Sequence, residues 1–84
     1  MAEWAWILTR NHRAIAAATD SSEPVAARAE LIVRQVHGGD IRWDQHVSTE
    51  RRLMTRSRTT GGWHWSTYSV LQVPLVAFEA EKEG

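Results

Sequence analysis

The segment from residue 51 to residue 58 carries the strongest chemical signal in the sequence. It contains Arg51, Arg52, Arg56 and Arg58 and no acidic residue. Guanidinium groups form forked hydrogen bonds to carboxylates and phosphates, and they also stack on aromatic rings. The segment therefore predicts a binding strip for phosphate, nucleic acid or an acidic protein surface, although a solvated strand face has the same composition.

The histidines offer a second kind of chemistry. His46 and His64, together with Arg52 or Arg56, are the residue types that a metal-free ribonuclease uses as general base, general acid and phosphate clamp. Small bacterial toxins use such sites, and we keep this as the least favoured hypothesis. The sequence has no short metal-ligand spacing such as HxxxH among its histidines, which are His12, His37, His46 and His64.

Other catalytic and cofactor chemistry finds no support in the sequence. Cysteine is absent, and neither a GxSxG motif nor a glycine-rich phosphate loop is present. A metal site needs three or four converging ligands, which this spacing does not supply. We therefore expect a protein that is not an enzyme, with no metal, no cofactor and no small-molecule substrate.

Composition narrows the classes of partner. Ten Lys and Arg residues balance ten Asp and Glu residues, so no overall field draws the chain to nucleic acid or membrane. Nucleic-acid-binding proteins usually carry a net basic footprint. The longest apolar run, residues 73–78, is interrupted by Pro74 and is too short to span a bilayer. We expect a cytoplasmic protein without a membrane partner.

Residue usage suggests an origin. Nine of the ten cationic side chains are Arg, and eleven residues are Ala. This bias is typical of GC-rich codons, and it indicates an accessory protein of an actinobacterium, or of a phage or other mobile element living in one.

The first 18 residues allow two interpretations. Trp4, Ile7, Leu8, Asn11 and Ile15 follow helical spacing, and the alanines nearby are strong helix formers. This pattern predicts a helix over residues 3–18. The alternation of Trp4, Trp6 and Leu8 instead indicates a strand over residues 4–9, and the sequence alone does not decide between them. We favour the helix because its pattern is longer than a typical strand.

The remaining elements have clearer signals. Ser22, Glu23 and Pro24 are typical of a helix start, and Gly38 and Gly39 end that helix. From residue 40 the apolar period changes to two, which predicts strands near residues 41–47, 51–58 and 63–73. The predicted fold is α+β, with two N-terminal helices packed on one face of a three-stranded antiparallel meander. Residues 1–78 form the single domain, and residues 79–84 form a solvated acidic tail.

The loop before the last strand decides which residues face solvent. A two-residue loop at Gly61 and Gly62 places Trp63 and Trp65 on the same face as Arg56 and Arg58, where cation–π stacking can form. A three-residue loop over residues 60–62 puts both Trp residues in the core. Because burying a large side chain contributes about 1.5–3 kcal/mol, we expect the three-residue loop, although the register remains open.

That register divides the strands into two faces. The predicted core face contains Ile41, Trp43, Val47, Leu53, Thr55, Trp63, Trp65, Leu71 and Val73. The predicted solvent face contains Arg42, Asp44, His46, Arg52, Met54, Arg56, Arg58, His64, Ser66, Tyr68 and Val70.

Arginine, tyrosine and tryptophan are enriched at protein interfaces. We therefore expect a small non-catalytic binding module that uses its Arg-rich sheet face for a protein partner or for self-association as a homodimer. Nucleic-acid binding through the same face is the alternative, because aromatic side chains and a cationic groove also bind single strands. The predicted contact residues are Arg42, Arg52, Arg56, Arg58, His64 and Tyr68, with Trp6 as an anchor.

Overall fold

The computed structural model describes residues 4–75, which form one helix and a five-stranded antiparallel sheet. The strands lie in the order β2-β1-β5-β4-β3, so β5 is central and β2 and β3 are the edges. The predicted tail over residues 79–84 lies outside the described residues. In chain order the elements are β1 (Trp4–Arg10), β2 (Arg13–Ala18), α1 (Glu23–Val36), β3 (Ile41–Val47), β4 (Glu50–Arg56) and β5 (Trp63–Pro74).

The prediction of two helices on a three-stranded meander is wrong, because the first predicted helix is a β-hairpin. Arg10 pairs with Arg13, and the turn between them consists of Asn11 and His12, whose φ angles are 51° and 69°. Two consecutive left-handed residues form the tight turn that matches the twist of a hairpin. The strand alternative for residues 4–9 is confirmed.

The alanine run explains this error. Alanine has high helix propensity, but propensity is a weak preference that tertiary pairing overrides. In the structure, Ala16 and Ala17 pair with Leu8 and Ile7 of β1, and Ala16 and Ala18 pack against the core under α1. The short side chains leave room for the helix to cross the sheet closely.

The predicted second helix is confirmed as α1. Pro24 lies in the first turn, where its missing N–H would have no helical partner. Ser22 occupies the N-cap position, but the Ser21 hydroxyl accepts the hydrogen bond from the Glu23 N–H, at 3.3 Å. The helix ends at Val36, just before the predicted Gly38 stop.

The three C-terminal strands are confirmed, but both connections differ from those predicted. Val47 pairs with Glu50, so Ser48 and Thr49 alone form the first turn. Arg56 pairs directly with Trp63, so the second loop spans residues 57–62. Neither the three-residue nor the two-residue loop weighed from the sequence is present.

The predicted faces are correct for β4 and for residues 41–44 of β3, and wrong for β5. They are also wrong for Val47, which is half exposed and pairs with Glu50 after a shift in the register of β3. Trp63 and Trp65 lie on the face away from α1, whereas Tyr68 and Val70 are buried under the helix. A change of one residue in register moves every side chain of a strand to the opposite face. The core under α1 consists of Leu8, Val25, Ala29, Val33, Leu53, Tyr68 and Val70.

A bulge in β5 accompanies this register. The pairing with β4 passes from Arg52 with Ser69 to Met54 with Trp65, so β5 has two more residues than β4 between these pairs. Thr67 lies within the bulge at a φ of 75°, which is uncommon for a β-branched residue. The Asn11 N–H donates to the Thr67 carbonyl at 2.9 Å, which holds the bulge against the first hairpin.

Candidate functional site

A cluster of three arginines and two tryptophans lies on the face of the sheet opposite α1. The Cζ atom of Arg42 lies 4.2 Å from the centre of the Trp63 ring, and that of Arg56 lies 6.0 Å from the same ring. The Cζ atom of Arg52 lies 4.2 Å from the centre of the Trp65 ring. These distances are within the range of cation–π contact. We name these five residues the Arg–Trp cluster.

Strand register brings the cluster together. Arg42 on β3 pairs with Met54 on β4, which pairs with Trp65 on β5, and Arg56 pairs with Trp63. Paired residues share a face, so the arginines of β3 and β4 and the tryptophans of β5 all point to the same side. Diagonal neighbours on adjacent strands then lie within reach of long side chains.

Three groups of the chain contact the Trp65 side chain. Its indole N–H donates to the Tyr68 carbonyl at 3.0 Å. The His12 ring, from the turn between β1 and β2, lies 5.3 Å from it at an angle of 52°. With the Arg52 guanidinium over its face, contacts within the chain orient the ring.

Each arginine of the cluster also has a carboxylate partner. The Nε atom of Arg42 lies 3.0 Å from Asp44, and that of Arg52 lies 2.9 Å from Glu50. A terminal nitrogen of Arg56 lies 3.7 Å from Asp40. The cluster and its partners therefore carry three positive and three negative charges, and the surface has no net charge despite its arginines.

Glu50 is the most enclosed of these carboxylates, with its side chain 16% exposed. Burial acts to raise the pKa of Glu50, but the hydrogen bond from Arg52 and the positive charges of Arg52 and His46 act in the other direction. The net effect lowers the pKa below its ordinary value. Glu50 is therefore ionised at neutral pH and holds Arg52 against Trp65.

The structure does not bring the other predicted contact residues to this face. Arg58 lies in the loop after β4 and donates to the Gly38 carbonyl. His64 is exposed, and as the residue between Trp63 and Trp65 it points to the other side of the strand. Tyr68 is only 9% exposed, and the half-buried Trp6 packs against the core.

The sequence prediction missed Trp63 and Trp65 as site residues. The signal was present, because stacking of both rings on arginine was the alternative that followed from a different loop length. The argument that a small core needs every Trp instead favours the loop that buries both rings. In the structure, arginine side chains cover these rings instead.

The histidines do not form the acid–base pair that a ribonuclease needs. His64 pairs with Thr55 near one end of β4, whereas His46 lies beside Glu50 at the other end. Five residues of extended chain separate these ends by about 17 Å. Among residues 4–75, no three histidine, aspartate or glutamate side chains converge in the manner of a metal site.

Comparison with known proteins identifies no relative of the chain. No protein-family model, no curated protein and no solved structure matches the chain. Within the described part of the chain, no helix is long and apolar enough to cross a membrane.

Proposed function

We propose that the chain is a non-catalytic protein-binding module whose Arg–Trp cluster forms the contact surface for a partner protein. One observation carries the proposal. Each arginine of the cluster lies against a tryptophan ring and is also paired with a carboxylate.

Such an arrangement suits protein recognition. Tryptophan and arginine are the residues that most often dominate the binding energy of protein interfaces. The ion pairs of Arg42 and Arg52 use the Nε atom, so each terminal fork can donate to carbonyl or carboxylate groups of a partner. Because these side chains are already stacked, they lose little further rotamer freedom when a partner binds. The entropy cost of binding is therefore smaller.

Nucleic acid remains the second candidate, and the two indole rings are the observation that favours it. Bases stack on aromatic side chains beside arginines in many single-strand-binding proteins. However, phosphate binding draws its affinity from uncompensated positive charge, and the carboxylates at Asp40, Asp44 and Glu50 neutralise this face. The balance of charge therefore supports a protein partner over nucleic acid.

The first experiment compares three baits in affinity capture from the organism that encodes the protein. The baits are the wild type, the face variant Arg42→Ala with Trp63→Ala, and a control variant, Arg28→Ala with Leu31→Ala. The control removes one arginine and one large apolar side chain that are exposed on α1. Circular dichroism and urea unfolding establish that all three baits fold.

We expect one protein to be retained by the wild type and the control bait and lost from the face variant. The purified pair should then bind directly, with at least a tenfold loss of affinity in the face variant. Equal retention by all three baits would contradict the proposal.

A parallel titration of labelled single-stranded DNA and RNA tests the second candidate. We expect no binding at physiological salt. Binding that falls steeply with salt and disappears in the face variant would replace the protein partner with nucleic acid.

The proposal includes a cytoplasmic location and an accessory role in an actinobacterium or its phage. Fractionation of the producing cells tests the location.

A further inference from the structure

The edge strand β2 has an unusual composition for a strand at the edge of a sheet. Between Arg13 and Thr19 it contains only alanine and one isoleucine. It pairs with β1 on one side, and no other described strand lies on its outer side. The Ile15 side chain is 48% exposed. This edge therefore presents backbone donors and acceptors with little side-chain obstruction.

Natural proteins usually protect such an edge. Charged side chains, proline and bulges along an edge strand prevent a second chain from pairing with it. The other edge of this sheet follows the rule, because β3 carries Arg42, Asp44 and His46. After Arg13, the only such device on β2 is a bulge at Ile15, which leaves residues 16–18 in regular register with β1.

The two ends of β2 carry opposite charges. Arg13 begins the strand, and Asp20 follows its end. Among residues 4–75 neither side chain forms an ion pair within the chain. In antiparallel pairing of two copies, the start of one strand lies beside the end of the other. Arg13 of each copy then lies near Asp20 of its partner.

We infer that the protein forms a homodimer in which β2 of one copy pairs antiparallel with β2 of a second copy. A twofold axis beside Ala17 relates the copies, so that Ala17 lies opposite its own counterpart, and the same strand serves as both halves of the interface. The small side chains let the two strands approach without steric conflict. The resulting sheet runs continuously through both copies. This interface is separate from the Arg–Trp cluster.

Charge exchange tests this inference directly. Analytical ultracentrifugation of the wild type should give a mass of twice 9.6 kDa. Arg13→Asp and Asp20→Arg each place like charges at both ends of the symmetric interface. We expect each single variant to weaken the dimer at least tenfold. The double variant, Arg13→Asp with Asp20→Arg, restores both attractions and should restore the dimer.

Two further variants complete the test. Ala17→Lys places a charge on the exposed edge and should also give a monomer. Arg28→Asp on α1 changes the net charge by as much as Arg13→Asp does and should leave the dimer intact. A monomeric wild type at millimolar concentration would overturn the inference. A dimer that survives both single charge variants and Ala17→Lys would also overturn it. Loss of the dimer only in the Arg42→Ala with Trp63→Ala variant would assign self-association to the open face instead.

Discussion

The two faces of the sheet bury their large side chains by different means. On the covered face, α1 supplies a second layer, and Leu8 and Leu53 have no exposed surface. On the open face, no second layer lies above Trp63 and Trp65 in the described structure, and arginine guanidinium groups cover the rings. The comparison shows that arginine stems and guanidinium groups take the place of an apolar layer over these two rings.

This difference predicts unequal contributions of the two faces to folding. On the covered face, Leu8 and Leu53 are completely excluded from water, so they contribute the full free energy of apolar burial. The open face keeps its rings partly accessible, so its contribution to folding is smaller. Substitutions on the two faces should therefore differ in which property they change.

The largest effect is expected on the covered face. Leu53→Ala removes a fully buried side chain beneath α1, and the cavity should reduce the free energy of unfolding by about 3 kcal/mol. Urea denaturation measures this change. The matched control, Leu31→Ala, alters a side chain that is 61% exposed and should change stability by less than about 0.5 kcal/mol. Similar losses in the two variants would contradict the assignment of the core.

A smaller effect is expected on the open face. A double-mutant cycle with Arg52→Met and Trp65→Phe isolates the stacking of that pair from the other interactions of each residue. We expect a coupling of about 0.5–1 kcal/mol in the free energy of unfolding. Arg34 on α1 provides the comparison, because the cycle of Arg34→Met with Trp65→Phe should show no coupling. An uncoupled Arg52 and Trp65 would remove the basis of the Arg–Trp cluster.

The smallest effect concerns pH. Because folding lowers the pKa of Glu50, its ion pair contributes stability that is present above the ordinary carboxyl pKa and is lost as pH falls through the lowered value. At pH 7, Glu50→Gln should reduce the free energy of unfolding by about 0.5 kcal/mol. The difference from the wild type should shrink progressively below pH 4.5. A difference that is independent of pH would show that the carboxylate charge is not involved.

Local signals that agree with their tertiary setting were predictable from the sequence. Helix α1 has start signals at Ser22 and Glu23, an apolar stripe and glycines just after its end, and all of these lie in one short segment. The faces of β4 and of residues 41–44 of β3 were also predictable, because Ile41, Trp43 and Leu53 alternate with polar residues. The grouping of Arg42, Arg52 and Arg56 followed from this alternation.

The parts of the fold that the sequence does not predict depend on long-range contacts. The Ala-rich segment of β2 favours a helix by itself and becomes a strand only through pairing with β1. The side of β5 that meets α1 depends on the loop over residues 57–62, which pairs Arg56 with Trp63. This loop has no strong local signature, so the sequence left two positions open for Trp63 and Trp65 and did not decide between them.

The length of β5 has a further consequence for dynamics. Its pairing with β1 begins at Tyr68, so the segment containing Trp63 and Trp65 has hydrogen-bonded strand partners on one side only. α1 packs mainly over β1, β2 and β5. Amides in this part of the sheet therefore exchange with solvent through local opening at lower free energy than those beneath the helix. Under the proposed function, a partner bound here would slow this exchange, and the slowing would be confined to the Arg–Trp cluster.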